Sequence, residues 1–247
     1  MGTWLTAQPF AHRGLHARDR GVIENSSTAF HAAVERGYGI ELDVQISADG
    51  EAMVFHDRLL DRLTDETGAI ANLTADELSD IPLKGSSDTI RTLDEALAAI
   101  DGRVPVLVEI KTLPRETPGA LEKAVLGVLE AYDGPAAIMS FSPDCVAWFK
   151  AIAPWVPRGL VAMDFVAHPA RLSFAERVAL GRLHHVRSIE PDFVAYDCRS
   201  IPNRALRMAR SGGLPVLSWT VRDQQSADRI RPHVDQIIFE SFIPAPA

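Results

Sequence analysis

The chain has 247 residues, of which 47% are hydrophobic, and it carries a formal net charge of −8 at pH 7. That length and apolar content are enough to bury a large core, either as one large domain or as two small ones. The acidic balance and the absence of any Lys/Arg-rich run in the sequence argue against nucleic acid or an anionic membrane as the main partner.

The amino-terminal segment 1–14 has neither the basic start nor the apolar run of a signal peptide. No stretch of the sequence reaches the about 18 consecutive apolar residues that a membrane-spanning helix needs. The two cysteines, Cys145 and Cys198, are too few for a disulfide framework and lack metal-ligand spacing, so we expect buried thiols in a reducing compartment. We therefore expect a cytoplasmic protein without stable membrane association.

Short apolar segments typical of β-strands recur along the chain. Candidate strands cover residues 9–12, 40–45, 104–110, 136–141, 158–163, 192–197, 215–221 and 236–240. Amphipathic segments typical of helices lie between most of them. About eight such β/α units predict a (β/α)8 TIM barrel, a fold of the α/β class. An open doubly wound sheet is the alternative, and the lack of a glycine-rich nucleotide loop after any strand weakens it.

Several helix boundaries follow from capping residues. Capping boxes at 92–95 and 173–176 place a hydroxyl and a carboxylate where they satisfy unpaired backbone donors. Thr117 and Ser142 each precede a proline suited to a first helical turn, and Gly37 is typical of a helix end. These signals predict where the helices between the strands begin and end.

The second predicted strand carries two acids that alternate with apolar residues, Glu41 and Asp43. Because side chains alternate across a strand, both acids point to one face and the apolar residues point to the other. The Asp49-Gly50 pair predicts a tight turn, and residues 52–55 predict a return strand. Folding back around that turn brings His56 close to Asp43.

The segment 57–91 does not fit the alternation of strands and helices. It is polar and irregular, has one short helix signal at 74–78, and is too long for an ordinary connection. We interpret it as a small insertion above the barrel mouth, within a single domain that spans 1–247. We expect the insertion to shape substrate entry and to contribute little to the core.

In a TIM barrel, functional groups lie where strands end and βα loops begin. Polar residues follow several of the predicted strands at this point, among them His12, Glu41, Asp43 and Glu109. The three carboxylates converge from adjacent strands with too few cations nearby to balance them, so a bound cation is expected. Carboxylate oxygens suit the hard cations Mg²⁺ and Ca²⁺.

Each of these residues also has an ordinary structural interpretation when it is taken alone. Glu41 or Asp43 could be a paired structural acid, Glu109 with Lys111 could be a plain ion pair, and His12 could be a hydrogen-bonded core or loop residue. We assign no role to the six remaining histidines, at positions 16, 31, 168, 184, 185 and 233. The joint occurrence of the motifs at three strand ends favours a functional site.

The polar residues form a specific pattern in their order and spacing. The motifs are His12-Arg13-Gly14, Glu24-Asn25-Ser26, Glu41-Leu42-Asp43-Val44, Asp49-Gly50, Val54-Phe55-His56-Asp57 and Glu109-Ile110-Lys111. With these motifs, the chain resembles the glycerophosphodiester phosphodiesterases over nearly its whole length. The resemblance implies a (β/α)8 barrel with a small insertion after the second strand.

The resemblance also implies a set of site residues. A divalent metal, Mg²⁺ or Ca²⁺, is expected on the carboxylates of Glu41, Asp43 and Glu109. His12 and His56 match the two catalytic histidines of the family. One would take a proton from the nucleophile and the other would give one to the leaving alkoxide, and the sequence does not tell which does which.

Three further residues are expected to bind the substrate. Arg13 and Lys111 would supply positive charge to the phosphate, and Trp219 lies in a segment that resembles a family position. Family members commonly end the eighth strand with Asp, often followed soon by Pro. Here the strand ends with Glu240-Ser241, which leaves the role of Glu240 open.

The implied function is metal-dependent hydrolysis of a glycerophosphodiester to sn-glycerol 3-phosphate and an alcohol, a reaction of lipid and glycerol metabolism. A lysophospholipase D-type phosphodiesterase on the same scaffold is one alternative. A non-catalytic barrel that only binds its ligand is another, and the presence of both histidines and all three acids argues against it. The sequence does not indicate the alcohol, the metal or the oligomeric state.

Overall fold

In a computed structural model, which describes residues 4–167 and 172–245, eight parallel strands close into a barrel. The ten strands of the sheet are β1 (Phe10–His12), β2 (Gly39–Ile46), β3 (Ala52–Val54), β4 (Arg91–Thr92), β5 (Val106–Ile110), β6 (Ala136–Ser140), β7 (Arg158–Ala162), β8 (Phe193–Asp197), β9 (Val216–Val221) and β10 (Gln236–Phe239). β1 pairs in parallel with both β10 and β2, which closes the ring. The predicted TIM barrel is confirmed, and the open sheet is excluded.

Helices follow most of the barrel strands. They are α1 (Trp4–Ala7), α2 (Ser27–Glu35), α3 (Ala75–Ser79), α4 (Leu93–Ile100), α5 (Ala120–Glu130), α6 (Pro143–Ile152), α7 (Phe174–Gly181), α8 (Val186–Ile189), α9 (Arg204–Ser211) and α10 (Gln224–Ile230). The predicted capping boxes exist: Thr92 accepts from the Glu95 N–H and Ser173 from the Glu176 N–H. Ser142 caps α6 ahead of its proline, as predicted.

One predicted helix start is wrong. α5 begins after Gly119 rather than after Thr117, because the Glu122 carboxylate accepts the Gly119 N–H at 2.7 Å. That bond satisfies a backbone donor at the start of the helix and sets the first turn two residues later than the Thr-Pro pair suggested.

The core has two layers, one inside the barrel and one between the strands and the surrounding helices. The apolar residues of β2, namely Ile40, Leu42 and Val44, belong to the outer layer. The inner layer includes Phe10 and Leu107. The predicted division of β2 into an apolar and an acidic face is therefore confirmed, and it leaves the acids directed to the barrel interior.

The insertion differs from its prediction in one respect. The expected hairpin is present, with Val44 of β2 paired to Val54 of the antiparallel β3. The segment that follows contains 3-10 turns at Leu60–Arg62 and Ile70–Asn72, and then α3. Its apolar residues form a separate buried cluster with Ile23, Met53 and Phe55; the members from the segment are Leu60, Leu63, Ile70, Ala75, Leu78, Ile81, Leu83 and Ile90. This cluster is separate from the barrel core, so the expectation that the insertion adds little to that core stands, but scattered apolar residues give the insertion a small core of its own.

Two other expectations concern single side chains and membrane segments. Cys145 and Cys198 are both free and buried, as predicted. In the part of the chain that the structure describes, no helix has the length and apolar character needed to cross a membrane. His168, one of the histidines without an assigned role, lies outside the described residues.

Candidate active site

The strand register gathers the acidic residues at the carboxyl end of the barrel. In the parallel pairing of β2 with β5, Asp43 lies beside Glu109, and in the pairing of β1 with β2, His12 lies beside Glu41. Glu41, Asp43 and Glu109 are 1%, 0% and 7% exposed. One oxygen from each lies within 4.8 Å of the others. The structure thus brings the three predicted carboxylates together.

The loop after β1 presses against α2 and points Arg13 at these acids. Gly14 has a positive φ of 78°, and a Cβ there would lie 2.9 Å from Ala29. Arg13 also has a positive φ, 56°, which is costly for a non-glycine residue and occurs mainly where the surroundings enforce it. In this conformation, the Arg13 backbone N–H donates to Glu41 Oε2 at 3.0 Å.

The Arg13 guanidinium links two carboxylates. Its Nε lies 3.1 Å from Asp43 Oδ2, and its Nη1 donates to Glu24 Oε1 at 2.5 Å. Burial opposes the charge of Arg13, but Asp43, Glu24 and Glu41 outweigh it and raise the Arg13 pKa. Burial likewise works against the Glu24 charge, but Arg62 and Arg13 lower the Glu24 pKa to about 2.

Asn25 holds Asp43 from the other side. Its side-chain Nδ2 donates to Asp43 Oδ2 at 2.8 Å, and its Oδ1 accepts the Asp43 backbone N–H at 3.3 Å. The Asn25 N–H donates to the Arg13 carbonyl at 2.9 Å, and Asn25 itself adopts a positive φ of 57°. Asn25 therefore fixes the acid and the arginine loop together, which explains the Glu-Asn motif.

Lys111 lies among the three acids, so the expectation that too few cations lie near them needs correction. Its Nζ lies 2.6 Å from Asp43 Oδ1 and also contacts Glu109 Oε1. Burial raises the Asp43 pKa, but Lys111 and Arg13 outweigh burial and hold this pKa far below its usual range. The Glu109–Lys111 ion pair is thus real, and it forms part of the cluster instead of replacing it.

Glu41 is the acid that these cations balance least. Burial, followed by repulsion from Asp43 and Glu109, raises its pKa well above the usual value. Its Oε1 is buried and has no hydrogen-bond partner among the described residues. A buried, unpartnered carboxylate oxygen beside two further carboxylates fits a hard divalent cation, which binds oxygen ligands. Glu41, Asp43 and Glu109 are the residues that would hold it.

His12 is buried between this cluster and Glu240. Its Nδ1 lies 2.6 Å from Glu240 Oε2, and its Nε2 faces Glu41 Oε2 at 3.9 Å. Burial lowers the His12 pKa, and the bond to Glu240 opposes that effect. Arg222 holds the second oxygen of Glu240 through its Nε at 2.7 Å. Glu240 therefore orients the His12 ring so that Nε2 faces the mouth.

His56, on the hairpin side of the mouth, is bonded in the same way as His12. Its Nδ1 lies 2.6 Å from Asp57 Oδ1. Arg62, on the 3-10 turn of the insertion, donates from Nε to Asp57 Oδ2 at 2.5 Å and makes two further bonds to Glu24, at 2.8 and 2.9 Å. Each histidine thus has a carboxylate on Nδ1 and an arginine on that carboxylate.

A cavity of about 530 Å³ opens beside His56. Its lining includes Asp57, Leu59, Arg62, Lys111 and Leu113, so the insertion forms one wall and the end of β5 forms another. The cavity offers both charged and apolar surface next to one imidazole, which suits a small polar molecule with some hydrocarbon.

Among the described residues, no hydrogen bond or ring contact joins Trp219 to this charged network. Its indole N–H donates to the Ala195 carbonyl at 3.0 Å, and its ring packs edge-to-face on Phe141 with centroids 5.4 Å apart. Trp219 and Phe141 cover the apolar interior of the barrel at the same end. Its predicted contact with substrate stays a prediction.

Sequence reasoning missed three participants in the site. Glu240 has no role assigned from the sequence because a glutamate breaks the family pattern, and Asp57 enters the sequence pattern only as part of the Val54–Asp57 motif. Arg62 lies in a segment without strand or helix periodicity. The signal for Asp57 was its position directly after His56, where a carboxylate can bond the ring; no local signal marked Arg62.

The fold and the polar mouth are those of the TIM-barrel enzymes, whose active residues lie at the carboxyl ends of the strands. A model of the glycerophosphoryl diester phosphodiesterase family matches residues 12–240. The chain belongs to this family, and the resemblance drawn from its motifs is confirmed.

Individual relatives agree with this assignment. A glycerophosphodiester phosphodiesterase of Caldanaerobacter subterraneus is 30% identical over 239 residues, covering 92% of this chain and 91% of its own. A phosphodiesterase of Oleispira antarctica, solved with the product sn-glycerol-3-phosphate, superposes with a TM-score of 0.76 at 24% identity, covering 94% and 92% of the two chains. A Thermotoga maritima glycerophosphodiester phosphodiesterase gives 0.70 at 24% identity, covering 94% of each chain. At these identities the two structures show the shared fold.

Proposed function

We propose that this chain hydrolyses glycerophosphodiesters to sn-glycerol 3-phosphate and an alcohol, with a divalent metal, Mg²⁺ or Ca²⁺, as cofactor. The observation that carries the proposal is the placement of two carboxylate-bound imidazoles, His12 and His56, beside a buried three-carboxylate cluster. The family membership and the product bound to the Oleispira antarctica relative support the same substrate class. A small-molecule substrate, no nucleic-acid partner and a cytoplasmic location complete the proposal.

Charge neutralisation is the first requirement of the reaction, because a phosphodiester is a stable monoanion. Arg13 presents a planar guanidinium beside Asp43, a geometry suited to forked contact with phosphate oxygens. Lys111 adds a second cation at the edge of the cavity. The divalent ion, when bound by Glu41, Asp43 and Glu109, would neutralise these acids and supply positive charge for the phosphate.

Proton transfer is the second requirement. The Nδ1 atoms of His12 and His56 are both engaged by carboxylates, so Nε2 is the nitrogen of each ring that would meet substrate or water. A ring held in one orientation by a carboxylate is suited to accept or donate a proton near neutral pH. One histidine would activate water or the neighbouring glycerol hydroxyl, and the other would protonate the leaving alcohol.

The test measures turnover of glycerophosphocholine, glycerophosphoethanolamine and a lysophospholipid, each with and without EDTA. Release of sn-glycerol 3-phosphate that stops with EDTA and returns with Mg²⁺ or Ca²⁺ is the expected result. Preference for the lysophospholipid would replace the proposal with the lysophospholipase D function. Full activity after exhaustive chelation would contradict the metal assignment, and no turnover with any metal would favour the non-catalytic barrel.

A further inference from the structure

A second group of metal-ligating side chains lies behind His12, away from the three-carboxylate cluster. Glu240 Oε2 is 2.6 Å from His12 Nδ1 and 3.5 Å from His16 Nε2. The ligand atoms of these three residues all lie within 4.8 Å of one another, and none of the three residues is exposed. We propose that His12, His16 and Glu240 form a site for a borderline divalent cation of the Zn²⁺ class, and that its occupation blocks His12.

His16 supplies the observation that separates this group from a simple hydrogen-bonded pair. Its Nε2 is shielded from solvent and makes no well-formed hydrogen bond with any described residue. A shielded ring nitrogen that faces a carboxylate oxygen at 3.5 Å without a well-aligned hydrogen bond is placed to give its lone pair to a metal ion shared with that carboxylate. A metal ion between the two would bind His16 Nε2 and Glu240 Oε2 together.

The ligand atoms of this second group favour a different metal from the one that the three-carboxylate cluster favours. Two imidazole nitrogens and one carboxylate oxygen suit Zn²⁺ and related ions, whereas three carboxylates suit Mg²⁺ or Ca²⁺. Zinc bonds of about 2.0–2.2 Å in a tetrahedral arrangement place neighbouring ligand atoms about 3.3 Å apart. The His16–Glu240 separation of 3.5 Å already fits, and the His12–Glu240 separation of 2.6 Å must widen by less than 1 Å.

The charges nearby are compatible with a cation. Two neutral rings and one carboxylate would face the ion, with the acid Glu41 3.9 Å from the other side of His12. Arg13 and Arg222 are opposing charges, and Arg222 bonds Glu240 Oε1, which leaves Oε2 for the metal. The Arg222 side chain is 59% exposed, so it can move away from an incoming cation at little cost.

Occupation of this site would stop proton transfer through His12. The ring now directs Nδ1 at Glu240 and has Nε2 facing the mouth. When Zn²⁺ takes the Nδ1 lone pair, the ring proton moves through solvent from Nδ1 to Nε2. An imidazole that bears a metal on one nitrogen and a proton on the other has no lone pair left to accept a proton. The site is therefore inhibitory.

The test keeps the three-carboxylate cluster filled with excess Mg²⁺ and adds Co²⁺ or Zn²⁺ to the full chain. Co²⁺ should give the intense visible bands of a tetrahedral nitrogen-ligated site, with one ion per chain. His16→Asn should weaken this binding at least about 10-fold, since it removes one ligand. The exposed His31, changed to Asn, serves as the matched control and should bind like the wild type.

An activity measurement complements the spectrum and uses the phosphodiesterase reaction proposed above. Zn²⁺ should inhibit the wild type and the His31→Asn variant at the same concentration. The His16→Asn variant should keep its basal activity and need at least about 10-fold more Zn²⁺. Equal Co²⁺ binding or equal inhibition in the His16→Asn variant would overturn the site. Because the Co²⁺ spectrum needs no turnover, it tests the site even if the substrate assignment fails.

Discussion

The active-site mouth has two halves of different construction. The barrel half presents His12, whose side chain is 10% exposed and whose partner Glu240 follows the neighbouring strand β10, 228 positions later in the chain. The hairpin half presents His56, whose side chain is 32% exposed and whose partner Asp57 is its neighbour in sequence. The two rings are bonded alike, but different parts of the fold hold them in place. Strand register fixes His12, whereas the hairpin and the small insertion position His56.

The difference extends to the charges. In the barrel half, three buried acids face two cations, and Glu41 is left with a raised pKa. In the hairpin half, Arg62 joins Asp57 to Glu24 and leaves the acids with cationic partners. In the barrel half, the buried carboxylates therefore repel one another, and a bound cation would reduce that repulsion. In the hairpin half, the carboxylates are neutralised by arginine without a bound ligand.

The largest effect is expected from Glu41→Gln, which breaks the barrel half. Turnover should fall to the uncatalysed background, and divalent-metal binding measured by calorimetry should be lost. Thermal stability without metal should be unchanged or higher, because the amide removes a buried charge that Asp43 and Glu109 repel. The exposed Glu51, changed to Gln, is the control and should affect neither quantity. Metal-dependent activity in the Glu41→Gln variant would contradict the assignment.

The next effect compares the two histidines directly. His12→Ala and His56→Ala should each lower kcat by about 10²–10⁴-fold, the usual contribution of general acid–base catalysis. The double variant should lose less than the product of the two, because the rings act in one reaction. Metal binding to the three acids should be nearly unchanged in both.

A substrate with a very good leaving group sharpens this comparison. A nitrophenyl phosphodiester needs little protonation of its leaving group, so it should rescue only the variant that lacks the general acid. Equal rescue of both variants, or near-full activity of both on a glycerophosphodiester, would rule out a two-histidine mechanism.

A smaller effect is expected from Leu63→Ala, which weakens the hairpin half alone. Leu63 is buried in the separate cluster of the insertion, and such a truncation costs about 2–5 kcal/mol. Because that cluster is distinct from the barrel core, activity should be lost on heating before the barrel unfolds. Circular dichroism and activity, followed in parallel, measure the two transitions. Coincident midpoints would show that the insertion and the barrel unfold as one unit.

The smallest effect concerns the pH dependence of stability. Burial opposes the Glu24 charge, but Arg62 and Arg13 lower the Glu24 pKa to about 2 in the folded protein. A lowered pKa stabilises the fold above the unfolded value near 4.5, and this stability is lost as pH falls towards 2. Glu24→Gln should therefore lower the melting temperature by a few degrees near pH 6, and the difference should shrink in acid. A difference that persists at pH 2 would contradict this account.

Much of the fold followed from local patterns. The strand alternation at Glu41 and Asp43 and the capping residues Thr92 and Ser142 act within a few residues, so their effect is visible in the sequence. The start of α5 was misplaced because the bond from Gly119 to Glu122 competes with a plausible Thr-Pro cap.

The site was predictable where it rests on strand ends and less so where it rests on distant contacts. The convergence of Glu41, Asp43 and Glu109 follows from the order of parallel strands. The contact of Glu240 with His12 joins residues 228 positions apart, and the bond of Arg62 to Glu24 joins residues 38 apart. No periodicity encodes such pairs, since they depend on how the ring closes and where the insertion packs.

The closure of the ring between β1 and β10 has a consequence for the newly made chain. His12 emerges from the ribosome 228 residues before Glu240. Until translation has passed Glu240, β1 has a partner on one side only and the imidazole of His12 has no carboxylate on Nδ1. The proposed catalytic centre thus cannot assemble before β10 has been made, and a chain halted before β10 would expose an open sheet edge.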